Sequence, residues 1–319
     1  MITIATLVGC AIGDALGNPF EMKPANDPKL LAWDGTFQEG GTFWWGQPGQ
    51  YTDDGCMSMC LAASLLDKSG FNPEDIATKY LAWYESGNTR GIGTTTASAM
   101  MNLKLGANWQ ESGLTHGMDG LPAAGNGTAM RASPIGLVYR NNLNKLLEVA
   151  MAEASITHNS IEPKMGSVAV ALAVAMLANR QSINTEPGVP MERADIIDSV
   201  GGVLPTDSVV RNRLEIAAGC LEQGLDPMQA LFEIGITGNK GYVPETVASA
   251  FYCFAATDNF RDCVVMSIKC GGDTDSTAAV AGALAGTWYG LEGIPEEYKG
   301  VENFELLQGL TDELINIEI

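Results

Sequence analysis

Residues 271–286 read GGDTDSTAAVAGALAG and carry the clearest information on how this chain folds. A Gly-Gly pair predicts a turn, and the hydroxyl and carboxylate side chains after it are typical of the first positions of a helix. The small residues from Thr277 to Gly286 allow close packing on every side, which is typical of a helix in the middle of a globular bundle. We therefore expect residues 276–289 to form a buried central helix.

Other segments have the same character, because they are rich in Ala, Leu and Met and show little of the alternation that predicts strands. Glycine-rich breaks separate them, and the sequence has no Ser- or Pro-rich linker, charge run or internal repeat. These features predict an all-α protein with a single domain over residues 1–319. The predicted helices cover residues 54–68, 73–85, 144–154, 166–179, 212–223, 227–234, 244–256 and 276–289.

Composition limits the classes of partner that the protein can have. The 319-residue chain is 46% hydrophobic, enough for a large core, and its 38 acidic and 18 basic residues give a formal net charge of -20. Such a charge repels nucleic-acid backbones and anionic membranes, so neither is an expected partner. If the substrate carries phosphates, backbone N–H groups, a few local cations or bound metal ions must hold it.

Seven cysteines are spread along the chain, an odd number that predicts no disulfide framework. Unpaired thiols are typical of a reducing compartment, and the apolar N-terminus lacks the basic residues of a signal peptide, so we expect a cytoplasmic protein. No apolar run reaches membrane-spanning length without Gly or a charged residue. Cys56 and Cys60 lie one helical turn apart, but no second sulfur pair or nearby histidine completes a soft-metal site, so both are expected in the core.

Two short acidic segments carry the chemistry that the sequence predicts. Thr52-Asp53-Asp54 directly precedes a predicted helix, and Asp273-Thr274-Asp275-Ser276 lies between the Gly-Gly turn and the central helix. Each segment alone is explained by helix capping, but together they offer more oxygen atoms than two caps need. Hard cations such as Mg²⁺ prefer several oxygen ligands, and burying four carboxylates together is very unfavourable without cations. If the two helix starts converge, they predict a site for two adjacent ions and a metal-dependent hydrolase.

Four further features are weaker indications of residues that bind substrate or take part in catalysis. The turn Gly125-Asn126-Gly127 either brings backbone N–H groups close to a diphosphate or is a plain turn, and Arg131 either adds charge there or pairs with a buried carboxylate. His158 is more typical of a structural histidine than of a metal ligand, although it can orient a carboxylate through a hydrogen bond. Glu21 lies in a loop after an apolar helix, where it is either solvated or, if the loop covers the ions, a general base or gate.

These segments together resemble the ADP-ribosylglycohydrolase family over almost the whole chain. The similarity is carried, in chain order, by Gly13-Asp14-Ala15-Leu16-Gly17 with Glu21, Tyr51-Thr52-Asp53-Asp54, Gly125-Asn126-Gly127 with Met130-Arg131, Thr157-His158 and Gly271-Gly272-Asp273-Thr274-Asp275-Ser276. The resemblance implies a compact orthogonal helical bundle of that family's type. It also implies an enzyme that hydrolyses the glycosidic bond between ADP-ribose and an acceptor, which is a protein side chain or a small molecule.

The resemblance implies roles for individual residues as well. Two Mg²⁺ or Mn²⁺ ions are expected to grip the ribose hydroxyls and activate the attacking water. The implied catalytic residues are Glu21, Asp54 and Asp273. The implied metal ligands are Thr52, Asp53, Asp54, Asp273, Asp275 and Ser276, and the implied substrate-binding residues are Gly125, Asn126, Gly127, His158 and Tyr242.

Two positions depart from the family's pattern. Gly91 stands where members that act on arginine-linked ADP-ribose tend to carry Asp, and Gly55 follows the double Asp where Thr is commoner. The first departure makes an arginine-linked substrate less expected. Two other functions stay open: hydrolysis of another nucleotide or phosphate-containing substrate by the same ions, and a non-catalytic ADP-ribose-binding role. The tryptophan-containing loop 33–50 is predicted to be either a substrate lid or packed aromatic cover.

Overall fold

The computed structural model of this protein describes residues 3–116, 120–180, 191–235 and 240–317. Over these residues the chain is mostly helical, with two strands of two residues each, so the predicted all-α class is confirmed. The helices are α1 (Thr6–Gly17), α2 (Pro28–Ala32), α3 (Asp53–Asp67), α4 (Pro73–Glu85), α5 (Thr94–Lys104), α6 (Trp109–Ser112), α7 (Ser133–Val138), α8 (Leu143–Ser155), α9 (Ile161–Ala178), α10 (Asp195–Val203), α11 (Val209–Glu222), α12 (Pro227–Ile234), α13 (Val243–Ala256), α14 (Phe260–Lys269), α15 (Thr274–Tyr289) and α16 (Phe304–Ile315). The strands are β1 (Lys23–Pro24) and β2 (Gly271–Gly272), and short 3₁₀ helices cover Asn18–Phe20, Leu291–Gly293 and Glu296–Gly300.

Several helices begin where the sequence supplies a cap. Helices α4 and α12 follow Asn72 and Asp226, whose side-chain oxygens accept hydrogen bonds from backbone N–H groups of the first turn. Each has Pro at its first position, where the missing N–H costs no hydrogen bond. Both helices therefore have the predicted bounds. Helix α9 begins earlier than predicted, because Pro163 falls within its first turn and does not interrupt it.

Helices α1 and α15 form the centre of the bundle and touch along their backbones. A Cβ atom on Gly9 would lie 2.1 Å from the carbonyl oxygen of Gly282, and one on Gly13 would lie 1.9 Å from that of Ala278. Only residues without a side chain fit at such distances. Residues 274–287 of α15 are all buried, so the predicted central helix is confirmed.

Helix α9 is strongly apolar, and it packs against α7, α8, α13 and α15. By length and composition alone it is long and apolar enough to cross a membrane, but 72% of it is buried inside the protein. Burial on every face is also typical of a central helix in a globular bundle.

The two strands join the loop after α1 to the start of α15. They are antiparallel, and Lys23 pairs with Gly272 while Pro24 pairs with Gly271. Gly271 and Gly272 have φ angles of 71° and 75°, a conformation that glycine adopts without strain. This pairing brings Glu21 to the N-terminal end of α15.

The tryptophan-containing loop 33–50 supplies both packed cover and part of a cavity wall. Trp33 is buried, its ring centroid lies 5.0 Å from that of Phe20, and its Nε1–H donates to the carbonyl of Thr36 at 2.7 Å. Phe43 is 65% exposed and lines a cavity beside the acidic segments. Through Trp33 the loop therefore forms the packed aromatic cover that was one of the two predictions. Closure of the loop over a substrate, the other one, stays a prediction.

Candidate active site

A cavity of about 260 Å³ lies at the N-terminal ends of α3 and α15. Both acidic segments reach it, so the two helix starts converge, which was the condition for the predicted metal site. The cavity is lined by Glu21, Met22, Phe43, Asp53, Asp54, Gly91, Ile92, Gly93, Thr94, Thr95, Thr96, Gly125, Asn126, Gly127, Met130, His158, Lys240, Gly241, Asp273, Asp275 and Ser276. We use the name acidic cluster for the carboxylates in and beside it, which are Asp14, Glu21, Asp53, Asp54, Asp273 and Asp275.

The N-terminus of α3 is held by Asp14, a fully buried carboxylate of α1. Its Oδ1 accepts hydrogen bonds from the N–H of Thr52 at 2.9 Å and from the Thr52 hydroxyl at 2.8 Å. Its Oδ2 accepts from the N–H of Gly55 at 2.9 Å. Asp53 and Asp54 lie between these two anchor points, so Asp14 fixes the segment that carries them. The Thr52 hydroxyl is thus directed at Asp14, and Thr52 does not line the cavity.

The N-terminus of α15 presents Asp273 and Asp275 to the same cavity. The side-chain amide of Asn126 donates to Asp273 Oδ2 at 3.0 Å, which ties the predicted substrate-binding turn to this acidic segment. The carboxylate of Asp275 accepts from the N–H of Ser276 at 3.0 Å. Carboxylates at this end of a helix are favoured by the helix dipole.

The acidic cluster contains two groups that share Asp275. Oxygen atoms of Asp14, Asp54 and Asp275 lie within 4.8 Å of one another, and so do oxygen atoms of Glu21, Asp273 and Asp275. Oxygen ligands of one hard cation lie no more than about 5 Å apart, because each is roughly 2.0–2.6 Å from the ion. Each group therefore has the spacing of ligands to one cation, and Asp275 has the position of a ligand that bridges two.

Burial dominates the electrostatics of the cavity. It raises the pKa of Asp53 to about 7 and that of Glu21 to about 8, and the neighbouring carboxylates add to both shifts. Burial also raises the pKa of Asp54 and that of Asp275 well above the ordinary range of an aspartate. Two effects act in the same direction, since removing a carboxylate from water and placing it beside other carboxylates both disfavour its charged form.

The acidic cluster has the properties of a cation site. Within the described residues, none of its carboxylates forms an ion pair with Lys, Arg or His. In that same part of the chain, the Oδ1 atom of Asp54 is buried and has no hydrogen-bond partner. Unpaired carboxylates are very unfavourable inside a protein unless cations compensate them. The residues present therefore fit Mg²⁺ or Mn²⁺, which prefer oxygen ligands.

The turn Gly125-Asn126-Gly127 and His158 form another wall of the cavity. A Cβ atom on Gly125 would lie 3.0 Å from His158 Nε2, and one on Gly127 would lie 2.8 Å from its Cε1, so the glycines let the imidazole approach the turn. Burial lowers the pKa of His158 to about 3, and the Arg131 guanidinium adds to the shift. The ring is therefore neutral. Its Nδ1 lies 2.8 Å from the hydroxyl oxygen of Thr157, and within the described residues no carboxylate bonds to it.

Arg131 and Tyr242, which the sequence analysis also singled out, do not line the cavity. Arg131 is fully buried, and its Nε donates to Glu153 at 2.7 Å, so it pairs with a carboxylate outside the acidic cluster. Tyr242 is the N-cap residue directly before α13, does not line the cavity, and forms a backbone bridge with Gly125. Tyr242 therefore supports the turn through its backbone, and a contact between its side chain and substrate stays a prediction.

The structure adds residues that the sequence alone did not assign to the site. Asp14 is the most informative, because a lone carboxylate within an apolar helix needs buried partners and is for that reason a recognisable signal. Phe43 and Lys240 gave no such signal, since an exposed aromatic or lysine in a loop is common. Lys240 is the cationic side chain among the described residues that line the cavity.

Comparison with known proteins agrees with this geometry. The family model described as ADP-ribosylglycohydrolase matches residues 3–318. The chain belongs to the ADP-ribosylglycohydrolase family. The resemblance seen in the sequence is thereby confirmed, and so is the class of enzyme that it implied.

Two relatives that are named for the hydrolysis of ADP-ribosylated molecules are similar over nearly the whole chain. The ADP-ribosylarginine hydrolase Tri1 of Serratia proteamaculans (strain 568) is 30% identical over 92% of this chain and 72% of its own length. The ADP-ribosyl-(dinitrogen reductase) glycohydrolase of Rhodospirillum rubrum is 28% identical over 92% of this chain and 87% of its own length. The solved structure of an ADP-ribosylglycohydrolase-related protein complex has a TM-score of 0.71 at 27% identity and covers 99% of this chain and 97% of that chain.

The two departures from the ADP-ribosylglycohydrolase pattern have structural explanations. Gly91 has a φ of 69°, and a Cβ atom there would lie 3.2 Å from Thr52 Cβ and 3.3 Å from Asp53 Oδ1. Position 91 therefore borders the acidic cluster and adds no carboxylate to it. A Cβ atom on Gly55 would lie 2.5 Å from the ring of Tyr51, so packing against that ring excludes a threonine.

Proposed function

We propose that this protein hydrolyses the glycosidic bond between ADP-ribose and an acceptor with the help of two divalent cations, Mg²⁺ or Mn²⁺. The observation that carries the proposal is the pair of carboxylate groups that share Asp275 within one cavity. Membership of the ADP-ribosylglycohydrolase family supports ADP-ribose as the substrate group, since both relatives are named as hydrolases of ADP-ribosylated molecules.

The acidic segments supply the ligands for the cations in this proposal. Asp54 belongs to one carboxylate group and Asp273 to the other, and Asp275 belongs to both. Two cations held by these carboxylates would bind the ribose hydroxyls and would lower the pKa of the attacking water. Asp14 then acts through the segment that it anchors, since its oxygens already accept hydrogen bonds from Thr52 and Gly55. The complete proposed ligand set is Thr52, Asp53, Asp54, Asp273, Asp275 and Ser276. Thr52 donates its hydroxyl proton to Asp14, so it would offer a lone pair of the hydroxyl oxygen to a cation.

Glu21 is the proposed proton-transfer residue. Its carboxylate lies within 4.8 Å of those of Asp273 and Asp275, and burial raises its pKa to about 8 in the absence of cations. Bound cations would lower that pKa toward neutral pH. In the hydrolysis the hydroxyl of water bonds to the anomeric carbon, the bond to the acceptor breaks, and the acceptor takes up the proton. A carboxyl group that both gives and receives protons in this pH range suits that transfer.

The acceptor in this proposal is a protein side chain or a small molecule, and arginine is the least expected of the side chains. A guanidinium is well recognised by a carboxylate that binds it in a bidentate manner. Gly91 lines the cavity without offering such a group. The turn Gly125-Asn126-Gly127 and His158 are proposed to contact the ADP-ribose, because they form a wall beside the acidic cluster.

We also propose that the reaction takes place in a reducing compartment such as the cytoplasm. All seven cysteines are unpaired, and five of them are buried. The net charge of -20 disfavours binding to nucleic-acid backbones or to anionic membranes.

Release of free ADP-ribose tests the proposed function directly. The substrates are arginine-linked and serine-linked ADP-ribosyl peptides and small ADP-ribosyl molecules, each with Mg²⁺, with Mn²⁺ and with a chelator. We expect release that the chelator abolishes and that Asp273→Ala or Asp54→Ala reduces by orders of magnitude, with the helical circular dichroism spectrum retained. Cys56→Ser serves as a control and should be fully active. Release that persists in the chelator, or full activity of either Asp variant, would overturn the cation site.

A further inference from the structure

We propose that a buried chain of hydrogen bonds from Glu153 through Arg131 and Thr157 fixes His158 in its Nε2–H tautomer, so that the ring presents a neutral N–H donor to the ligand. The tautomer follows from the geometry alone. The identity of the ligand rests on the proposed function.

The guanidinium of Arg131 is the donor in every hydrogen bond that it makes within this chain of hydrogen bonds. Arg131 Nε donates to Glu153 at 2.7 Å, Nη1 donates to the carbonyl of Gly127 at 2.9 Å, and Nη2 donates to the hydroxyl oxygen of Thr157 at 2.8 Å. Arginine has five N–H donors and no acceptor. The contact at Thr157 therefore occupies a lone pair of the hydroxyl oxygen and leaves the hydroxyl proton free to be donated.

The hydroxyl proton of Thr157 has one acceptor among the described residues. The Thr157 oxygen lies 2.8 Å from His158 Nδ1, and no other hydrogen bond of this hydroxyl occurs in that part of the chain apart from the one it accepts from Arg131. The hydroxyl therefore donates to Nδ1, which must carry a lone pair instead of a proton. Because a neutral imidazole has one N–H, the proton lies on Nε2.

The protonated nitrogen faces the substrate-binding turn. His158 lines the cavity, and its Nε2 is the atom nearest to the position that a Cβ on Gly125 would take, at 3.0 Å. Within the described residues Nε2 has no hydrogen-bond partner from the protein. The N–H group is thus left for an acceptor atom of the ligand, such as a phosphate or hydroxyl oxygen.

The surroundings keep the ring neutral as well as oriented. Burial and the Arg131 guanidinium hold the pKa of His158 near 3, so the ring donates one hydrogen bond over the whole working range of pH. A neutral donor recognises an acceptor atom without adding charge to the cavity.

Arg131 positions the turn as well as the histidine. Its bond to the Gly127 carbonyl holds the turn, and its bond to Thr157 holds the ring. Glu153 Oε1 also accepts from the Tyr80 hydroxyl at 2.7 Å, and the guanidinium lies 4.9 Å above the Tyr80 ring. Arg131 and Glu153 are fully buried, so this support is rigid.

Nitrogen-15 NMR of histidine-labelled protein tests the tautomer without substrate. The chain has two histidines, so His116→Gln leaves His158 as the one labelled ring. We expect its Nδ1 to resonate as an unprotonated nitrogen and its Nε2 as a protonated one, with no titration between about pH 5 and 8. A proton on Nδ1, or a doubly protonated ring at neutral pH, would overturn the proposal.

Thr157→Val in the same background tests the chain of hydrogen bonds. Valine keeps the shape of threonine but has no hydroxyl, so the Nδ1 signal should shift. In the enzyme with both histidines, KM should rise about tenfold while kcat changes less, because one ligand hydrogen bond is weakened. Thr157→Ser should restore both the signal and KM. Thr257→Val removes a buried hydroxyl at the C-terminal end of α13, which donates to the carbonyl of Cys253, and should change neither.

The two readouts separate this inference from the proposed function. If wild-type protein releases no ADP-ribose but His158 has the expected tautomer, the proposed function fails and the hydrogen-bond chain stands. If ADP-ribose is released but Thr157→Val leaves the Nδ1 signal unchanged, the chain is wrong and the proposed function stands.

Discussion

Asp14 belongs to one of the two carboxylate groups and also organises the start of α3 through hydrogen bonds. Its two oxygens accept from two backbone N–H groups and one hydroxyl at the start of α3. Burial raises its pKa to about 6, although these hydrogen bonds favour the charged form and oppose the shift. Groups that orient metal ligands are often as important for affinity as the ligands themselves.

We predict that Asp14→Asn weakens Mg²⁺ or Mn²⁺ binding by about 10–100-fold. An amide replaces one of the acceptor oxygens with an NH₂ group, which then faces an N–H of Thr52 or Gly55. Isothermal titration calorimetry of the metal-free protein measures the affinity, and circular dichroism checks the fold. Asp67→Asn, at the exposed end of α3, is the matched control and should bind as the wild type does. Equal affinity in the Asp14 variant would show that these hydrogen bonds do not hold the site.

Lys240 places a positive charge at the edge of the acidic cavity, where it can interact with the diphosphate of a substrate. It is exposed and lines the cavity next to Gly241, whose added Cβ would lie 2.9 Å from Asp273 Oδ2. An exposed charge interacts with an anion weakly and in a salt-dependent manner.

We therefore predict that Lys240→Met raises KM for an ADP-ribosyl substrate by less than about tenfold and leaves kcat nearly unchanged. The dependence of KM on salt concentration should also become weaker. Steady-state kinetics at low and high salt measure both effects, with Lys145→Met as the control on an exposed helix surface. A large fall in kcat would instead place Lys240 in the chemistry.

At the scale of the helix, the site depends on how closely α1 approaches α15. Gly9, Gly13 and Gly17 of α1 all lie against the backbone of α15, and an added Cβ at any of them would come within 2.5 Å of a backbone atom. Asp14 and Asp275 lie along this same contact. Any increase in the distance between the helices therefore moves one carboxylate group relative to the other.

We predict that Gly13→Ala lowers the free energy of unfolding by about 3 kcal/mol, because overpacking of this kind forces the backbone apart. Cation affinity should fall in the same variant. Gly309→Ala in α16 is the control, since nothing lies within 4 Å of its added Cβ and alanine favours a helix by up to about 1 kcal/mol. Urea unfolding measures both variants. A Gly13 variant as stable as Gly309→Ala would contradict the close contact.

The sequence predicted the elements whose signals are local. Helices α4 and α12 were predicted with their observed bounds, because cap residues and prolines mark their starts. Helices α5, α10, α14 and α16 were not predicted. Helix α5 opens with three threonines, whose branched side chains lower helix propensity, and α16 follows Asn303 with a φ of 58°, which no local pattern reveals. Tertiary packing stabilises these helices more than their own sequences do.

The same limit applies to the site. Both acidic segments were predicted, because each combines several oxygen-bearing residues at a helix start. The anchoring of Thr52 by Asp14 depends on how α1 meets α3, and the pairing of Arg131 with Glu153 depends on how α8 packs. Partners so far apart in the chain become visible only once the helices are in place.

For the stability of the whole molecule, the places where charges lie matter more than the net charge. The surface carries ion pairs such as that of Lys79 with Asp67, whereas within the described residues no Lys or Arg pairs with the acidic cluster. Folding therefore gathers like charges in one buried place, and without cations it must retain protons there. The stability of the metal-free protein is thereby linked to pH.

The direction of this linkage follows from the pKa shifts. The folded pKa of Asp53 is about 7 and that of Glu21 about 8, above the ordinary values of 3.8 and 4.5. Below the ordinary values both states hold these protons, and above them the unfolded chain loses protons that the folded protein keeps. The free energy of unfolding therefore falls as pH rises toward about 8. His158 acts oppositely only below about 6.5, its ordinary pKa, so the range above that isolates the carboxylates.

We predict that the melting temperature of the metal-free protein falls between about pH 6.5 and 8, and that Mg²⁺ or Mn²⁺ raises it more at the upper value. Cations replace the retained protons, so their binding is strongest where fewest protons compete. Differential scanning calorimetry with chelator and with each cation measures both effects, and Asp275→Asn should lessen both because it removes the shared carboxylate. A metal-free melting temperature that rises over this range, or a cation effect as large at pH 6.5 as at pH 8, would show that the acidic cluster is compensated by some other means than protons and cations.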